Sequence, residues 1–277
     1  MTQSKKTVKI KNISLANDSP INFIVGPCVI ESEKSYHSIA VKLKNIFKAL
    51  NKNFILKASF DKANRTSIRS FRGIGLVRGI KLLKEIKDEL KVPLIADVHE
   101  PFQAEIVAQY VDILQVPALL CRQTDLILAC AKTKKPVNIK KGQFMAPWDM
   151  ANIIEKIEAT GNKQIMLTER GTTFGYSNLV VDMRSIEIMK EAGYPVIFDC
   201  THSVQKPAAK GTCSGGDIKF SLPLAKAATA IKIAGLYLET HPDPQKALCD
   251  GANSIELSQV SKLAGIITKL DNLSKKI

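Results

Sequence analysis

The chain has 277 residues, of which 45% are apolar and 24% charged, with a formal net charge of +14. That is enough apolar material for one large core, and it excludes disordered and collagen-like classes. The charge has three competing sources: nucleic acid binding, solvated lysines and anionic substrates.

No basic stripe with interleaved aromatics is present, so a nucleic-acid partner is not expected. Lysine-rich helix faces such as KLKNIFK (42–48) and KLLKEIK (81–87) account for most of the excess and leave a handful of cations for anionic ligands. The opening stretch, MTQSKKTVKIKN, has no apolar run after its lysines and is not a secretory signal. No window approaches the ~18 apolar residues of a membrane helix, so no membrane partner and a cytoplasmic location are expected. The six cysteines (28, 121, 130, 200, 213 and 249) are scattered without a CxxC pair. They read as reduced thiols, with Cys121 and Cys130 as packing residues.

In chain order, Val8 and Ile10 first pair with Ile13 and Leu15 across Lys11-Asn12, which predicts a short hairpin within residues 1–20. Eight apolar runs rich in β-branched residues come next: INFIVGPC (21–28), NFILKASF (53–60), VPLIADV (92–98), VDILQVP (111–117), PVNIKKG (136–142), QIMLTERG (164–171), PVIFDCTHS (195–203) and GLYLETHP (235–242). Helical stretches fall between and after them, near 33–50, 75–90, 101–110, 123–133, 147–159, 178–192, 221–233 and 257–271. In the first, Ile39, Leu43, Ile46 and Leu50 recur at helical spacing. Eight strand–helix units predict an α/β fold, a (β/α)8 TIM barrel, with residues 1–277 as a single domain. The leading hairpin is expected to plug the N-terminal mouth of that barrel. A doubly wound open sheet is the alternative, but it has no need of eight units.

Barrel active sites lie at the C-terminal ends of the strands. Here those ends carry Cys28; Lys57 and Ser59; Asp97 and His99; Gln115; Lys140 and Lys141; Glu169 and Arg170; Asp199 and His202; Glu239 and His241. Lys57, Lys140 and Arg170 facing one rim make an anion pocket. Cys28, His202 and Glu239 end strands one, seven and eight, which a closed barrel brings together, and Asp250 in the following loop completes four ligands. A thiolate, an imidazole and carboxylates suit Zn²⁺, Fe²⁺ or Mn²⁺. His241 competes with His202 for its place, and Cys249 with Asp250. Cys28 is expected at a solvent-reached rim. KASFDKANRTS (57–67) offers a dense set of donors for phosphate and hydroxyl groups, and SGG (214–216) suits a flexible turn in a lid.

Together GPCVIES (26–32), KASFDKANRTS (57–67), DVHEP (97–101), QVPALLCRQTDL (115–126), NIKKGQF (138–144), TERGTTFGYSNLVVDMRS (168–185), FDCTHSVQ (198–205) and LETHPDP (238–244) resemble the 3-deoxy-D-manno-octulosonate 8-phosphate synthases. The resemblance implies condensation of phosphoenolpyruvate with arabinose 5-phosphate, in lipopolysaccharide core biosynthesis, by a homotetramer. The related heptulosonate 7-phosphate synthases, which use erythrose 4-phosphate, carry Lys-Pro-Arg-Thr where this chain has KANR (62–65). A non-catalytic sugar-phosphate-binding barrel is the other alternative. Cys28, in place of an asparagine, implies the metal-dependent type. GQFMAPWD (142–149) and ERGTTFGY (169–176) are similar to that type too, whereas CDG (249–251) resembles the metal-free one while retaining Asp250. Thr66 replaces a common serine and keeps its hydroxyl.

The same resemblance implies roles by position. Lys57, Lys140 and Arg170 bind phosphoenolpyruvate, helped by Lys62, Ser59 and Gln115. Asn64, Arg65 and Thr66 hold arabinose 5-phosphate. Lys62, Asp97 and His202 act in the reaction, Cys28, His202, Glu239 and Asp250 hold the metal, and Arg122 reaches a neighbouring subunit's site.

Overall fold

The computed structural model describes residues 5–209 and 214–277; Cys213 lies outside that range. Eight parallel strands close into a barrel: Asn22–Gly26, Phe54–Ala58, Leu94–Asp97, Ile113–Val116, Val137–Lys140, Ile165–Glu169, Val196–Asp199 and Gly235–His241. Each pairs with the next, and the eighth pairs with both the seventh and the first. All eight lie within the apolar runs, and the open sheet is excluded by the closing pair, in which Leu238 faces Val25 and Glu239 faces Gly26.

Helices α1 (Glu33–Ala49), α2 (Leu76–Leu90), α3 (Pro101–Ala108), α4 (Thr124–Lys132), α5 (Met150–Glu158), α6 (Arg184–Lys190), α7 (Ser221–Ala230) and α8 (Val260–Ser274) cover the outside. Tyr36, Ile39, Leu43 and Phe47 of α1 are buried against the barrel. Ser32 caps its N-terminus by accepting a hydrogen bond from Ser35 N. The lysines of the α1 and α2 outer faces, among them Lys42, Lys48, Lys81 and Lys84, lie toward solvent, which explains much of the positive charge. None of the described helices is long and apolar enough to cross a membrane.

The helix expected over 178–192 begins only at Arg184, because Leu179 and Val180 pair antiparallel with Thr173 and Thr172 in a small ribbon above the sixth strand. The lid turn over 214–216 is partly strand: Gly215 and Gly216 pair with Lys206 and Gln205. At Gly216 a Cβ would stand 1.5 Å from Asn253 Oδ1, so this glycine serves close packing rather than free movement.

The hairpin forms with Val8 opposite Leu15 and Ile10 opposite Ile13, as the alternation predicts. All four side chains are buried, in one cluster with Ile24, Ile55, Ile95, Ile113, Met166, Ile197 and Tyr237. Seven barrel strands therefore each give one residue to an apolar layer that the hairpin seals from below. Side chains on one face of a strand recur every second residue. Two residues further on stand Gly26, Lys57, Asp97, Gln115, Thr168, Asp199 and Glu239. The next inward layer of the same barrel is therefore polar.

Candidate active site

The polar layer forms the floor of a cavity of about 400 Å³ at the C-terminal mouth. Burying charge requires partners in place, and the ions of this floor have them. Lys57, 1% exposed, donates to Glu239 Oε1 at 2.8 Å and to the carbonyl oxygens of Pro27 and Cys28. Lys140 donates to Asp199 Oδ2 and lies 3.5 Å from the centre of the Tyr237 ring. Asp199 also accepts from His202 Nδ1 at 2.7 Å and from the Thr201 hydroxyl and backbone. A chain of amides crosses the floor: Thr168 Oγ1 donates to Asn138, Asn138 to Gln115, and Gln115 Nε2 to Asp97 Oδ1 at 2.6 Å.

The electrostatics reflect this pairing. Burial alone would raise the Asp199 carboxyl, but His202 and Lys140 overcome it and hold it well below the usual range. Burial opposes ionisation of Glu239 too, yet Lys57, His202 and Lys62 bring it down to about 2. Asp250 is likewise held low, against burial, chiefly by Lys62 and His202. Burial pushes Lys140 and Arg170 down, and their acidic neighbours restore only part of the loss.

Arg170 differs from the lysines. It is 5% exposed and gives Nη2 to Gln205 at 3.0 Å, while its buried Nε and Nη1 have no partner among the described residues. A cation buried with two idle donors at a cavity wall is prepared for an anion. Glu169, beside it in sequence, accepts from the Arg170 and Gly171 backbone and from Ser185, which locks the strand exit that aims Arg170.

Lys62, Asn64, Arg65, Thr66, Asp97, Gln115, Lys140, Arg170, His202, Glu239 and Asp250 all line the cavity. Lys57, in the same layer, is covered and does not itself line the cavity. Ser59 is buried and donates to Asp61 O, so it shapes the 57–67 loop. Arg122 is exposed and does not line the cavity of its own barrel. His241 contacts Glu31 at 3.4 Å and Asp243 O, whereas His202 lies with Glu239 and Asp250 in one group of possible ligand atoms.

The metal-ligand candidates form two triads that share Asp250. His202, Glu239 and Asp250 make one, and Cys28, Cys249 and Asp250 the other, with donor atoms within 4.8 Å in each. Cys28 is 5% exposed, packed with Val29 and Cys249 below the rim rather than reached by solvent as expected. Two residues earlier, Gly26 lets strand one approach strand two closely: a Cβ there would stand 2.1 Å from Lys57 O. The Cys28 thiol is pushed well up by its hydrogen bond to Cys249 and by burial. The Lys62 ammonium sits among these donors, 2.7 Å from Asp250 Oδ2 and 3.2 Å from Cys28 Sγ. One thiol, one imidazole and two carboxylates around a place already favourable to a cation fit a divalent ion.

Three residues of the site carry no role in the sequence reading: Asp199, which orients His202, and Gln205 and Asn138. Asp199 had a visible signal, since it stands three residues before His202 on a strand exit. Gln205 and Asn138 had none, because only the closed barrel shows whom they touch.

The chain matches the DAHP synthetase I family over residues 3–276. It is 49% identical over 269 residues to a protein of Syntrophotalea carbinolica, a match that covers 97% of both chains. It is 51% identical over 268 residues to one of Francisella tularensis subsp. holarctica, covering 97% of this chain and 98% of that one. A third, from Geobacter sulfurreducens, is 48% identical over 98% of this chain and 99% of its own. All three are named 2-dehydro-3-deoxyphosphooctonate aldolase. Matched from end to end by the family and by these relatives, and with the barrel and its polar mouth in place, the chain belongs to the DAHP synthetase I family.

Proposed function

We propose that this protein condenses phosphoenolpyruvate with arabinose 5-phosphate and water, giving 3-deoxy-D-manno-octulosonate 8-phosphate and inorganic phosphate. The observation that carries the reading is Arg170, a buried guanidinium with Nε and Nη1 idle, on the wall of a cavity that Lys140, Lys62 and Arg65 also line. The shared name of the relatives supports the choice of acceptor.

Arg170 and Lys140 hold the phosphate and carboxylate of phosphoenolpyruvate, with Lys57 setting the potential from its covered place in the same layer. Asn64, Arg65 and Thr66, at the open end, take the phosphate and hydroxyls of the sugar. Asp97, fixed by Gln115, contacts its hydroxyls. C3 of phosphoenolpyruvate attacks the aldehyde carbon while water adds to C2. The resulting hemiketal phosphate loses phosphate by C–O cleavage. His202, with Nδ1 tied to Asp199, keeps Nε2 toward the cavity, and Lys62 lies within reach of the same face. The cations stabilise the charge that moves onto the departing phosphate.

In this reading Cys28, His202, Glu239 and Asp250 would hold a divalent ion such as Zn²⁺, Fe²⁺ or Mn²⁺, which would supply Lewis-acid polarisation of water or the aldehyde. Phosphate release measured with phosphoenolpyruvate and either arabinose 5-phosphate or erythrose 4-phosphate tests the reaction. Turnover with the five-carbon sugar, abolished by a chelator and restored by Mn²⁺, Zn²⁺ or Fe²⁺, is expected. Preference for erythrose 4-phosphate, or no turnover with either, overturns it. In the same reading the barrel and hairpin are one domain of a cytoplasmic homotetramer, in which Arg122 completes a neighbour's site. Light scattering should then give four times the 30.4 kDa chain mass.

A further inference from the structure

Cys249 is the reactive group beside the site to which the proposed chemistry gives no task. It is 4% exposed, with Sγ 3.0 Å from Cys28 Sγ. Cys130, buried amid the outer core, shows what a packing cysteine looks like here: it touches no ligating group and only burial acts on its thiol. Cys249 instead faces a thiol, and beside that thiol stand a carboxylate and an ammonium: Asp250 Oδ2 at 3.3 Å and Lys62 Nζ at 3.2 Å from Cys28 Sγ.

The backbone explains how neighbours in sequence converge. Successive side chains of extended chain point to opposite sides. Asp250 breaks that rule by adopting the left-handed region, with φ of 48°, so the side chains of 249 and 250 both turn toward Cys28. Aspartate reaches this region more readily than most residues other than glycine. Gly251 is required next, since a Cβ there would stand 2.2 Å from Pro244 O. The Cys-Asp-Gly sequence is thus built to present two donors at one point.

We propose that Cys249 is itself a metal ligand, so that this chain holds its divalent ion through two thiolates, Cys28 and Cys249, with Asp250 linking them to His202 and Glu239. The inference rests on the divalent-ion reading above. Two sulfurs bonded to one zinc at ~2.3 Å stand about 3.8 Å apart, so the Cys28–Cys249 pair, 3.0 Å apart, opens as each thiol releases its proton to solvent. Two thiolates make the site softer than one thiolate among nitrogen and oxygen donors, and favour Zn²⁺ over Mn²⁺.

The deciding measurement is X-ray absorption at the zinc edge of the wild-type holoprotein, under reductant. Two sulfur scatterers at ~2.3 Å are expected. One sulfur with zinc retained, or no zinc retained after loading with Zn²⁺, overturns this inference and leaves the divalent-ion reading standing; a protein that binds none of Zn²⁺, Fe²⁺ and Mn²⁺ overturns both. Competition between Zn²⁺ and Mn²⁺ adds an independent arm. Cys249→Ala should lower the preference for Zn²⁺ by about tenfold or more, since even outer partners of a metal site are worth about 10–100-fold. An unchanged preference in a folded Cys249→Ala protein sinks the proposal.

Discussion

At the N-terminal mouth of the barrel, Ile10 and Ile13 of the hairpin close on Ile24, Ile55, Ile95 and Ile197. At the C-terminal mouth, Lys57 and Asp199, two residues along from Ile55 and Ile197, and Glu239, two residues along from Tyr237, are buried as deeply. The strands are shared and the burial is shared; only the means of stabilisation differs. Below, each side chain gains by leaving water, roughly 1.5–3 kcal/mol for a fully buried aliphatic group. Above, each charge loses solvation and recovers it only through a placed partner. The bottom layer therefore tolerates a volume-conserving swap but not a truncation, whereas the top layer is specified atom by atom. The comparison also separates stability from chemistry, because no hairpin residue lines the cavity.

Substitutions at the two mouths should come apart accordingly. The largest effect is expected below. Ile13→Ala removes a buried side chain from the plug and should cost about 2–5 kcal/mol of stability, read from the midpoint of urea unfolding. The kcat/KM per folded molecule should hold, and a fall in it would mean that the two ends are coupled. Next comes Arg170→Met, which should lower kcat/KM by about 10²–10³, or ~2.7–4 kcal/mol, as loss of a preorganised charge donor does. Its stability should hold or rise, because a buried cation with idle donors is removed; a large loss of stability would make Arg170 structural.

Arg65→Ala, at the open end of the cavity, should be smaller. Loss of one charge-assisted hydrogen bond is worth about 1.5–3 kcal/mol, and it should appear in the KM of the sugar phosphate with little change for phosphoenolpyruvate. Equal effects on both substrates would contradict the assignment of the 57–67 loop. The smallest effect is expected at Ser32, near the chemical mouth but outside the cavity. Ser32→Ala should cost about 1 kcal/mol through the lost cap of α1 and leave steady-state kinetics unchanged. A kinetic defect there would mean that the whole upper mouth, and not only its inward layer, is tuned for catalysis.

Much of this was legible beforehand because it is periodic or local. Eight β-branched runs with amphipathic helices between them implied the barrel, and the Val8–Leu15 alternation implied its plug. The polar residues ending each run marked the floor of the site, since inward positions recur every second residue and the polarity changes within a single strand. What misled was local too. Residues 178–183 are apolar enough to extend α6, but the partner that holds Leu179 and Val180 in a ribbon is Thr172–Thr173 across a turn. Cys28 looked like a rim residue because it ends a strand, yet the loop after the eighth strand folds over it.

The sequence by itself therefore determined the architecture, the charged character of one mouth and the residue types available there, because each depends on spacing along a single segment. Only the tertiary structure decided who meets whom. Lys57 finds Glu239, 182 positions away, and Cys28 finds Cys249, 221 positions away. Both contacts exist because the eighth strand hydrogen-bonds to the first and closes the ring. No local pattern encodes that closure: it depends on the twist and packing of all eight units at once, and the left-handed turn at Asp250 acquires its meaning only when Cys28 stands opposite it.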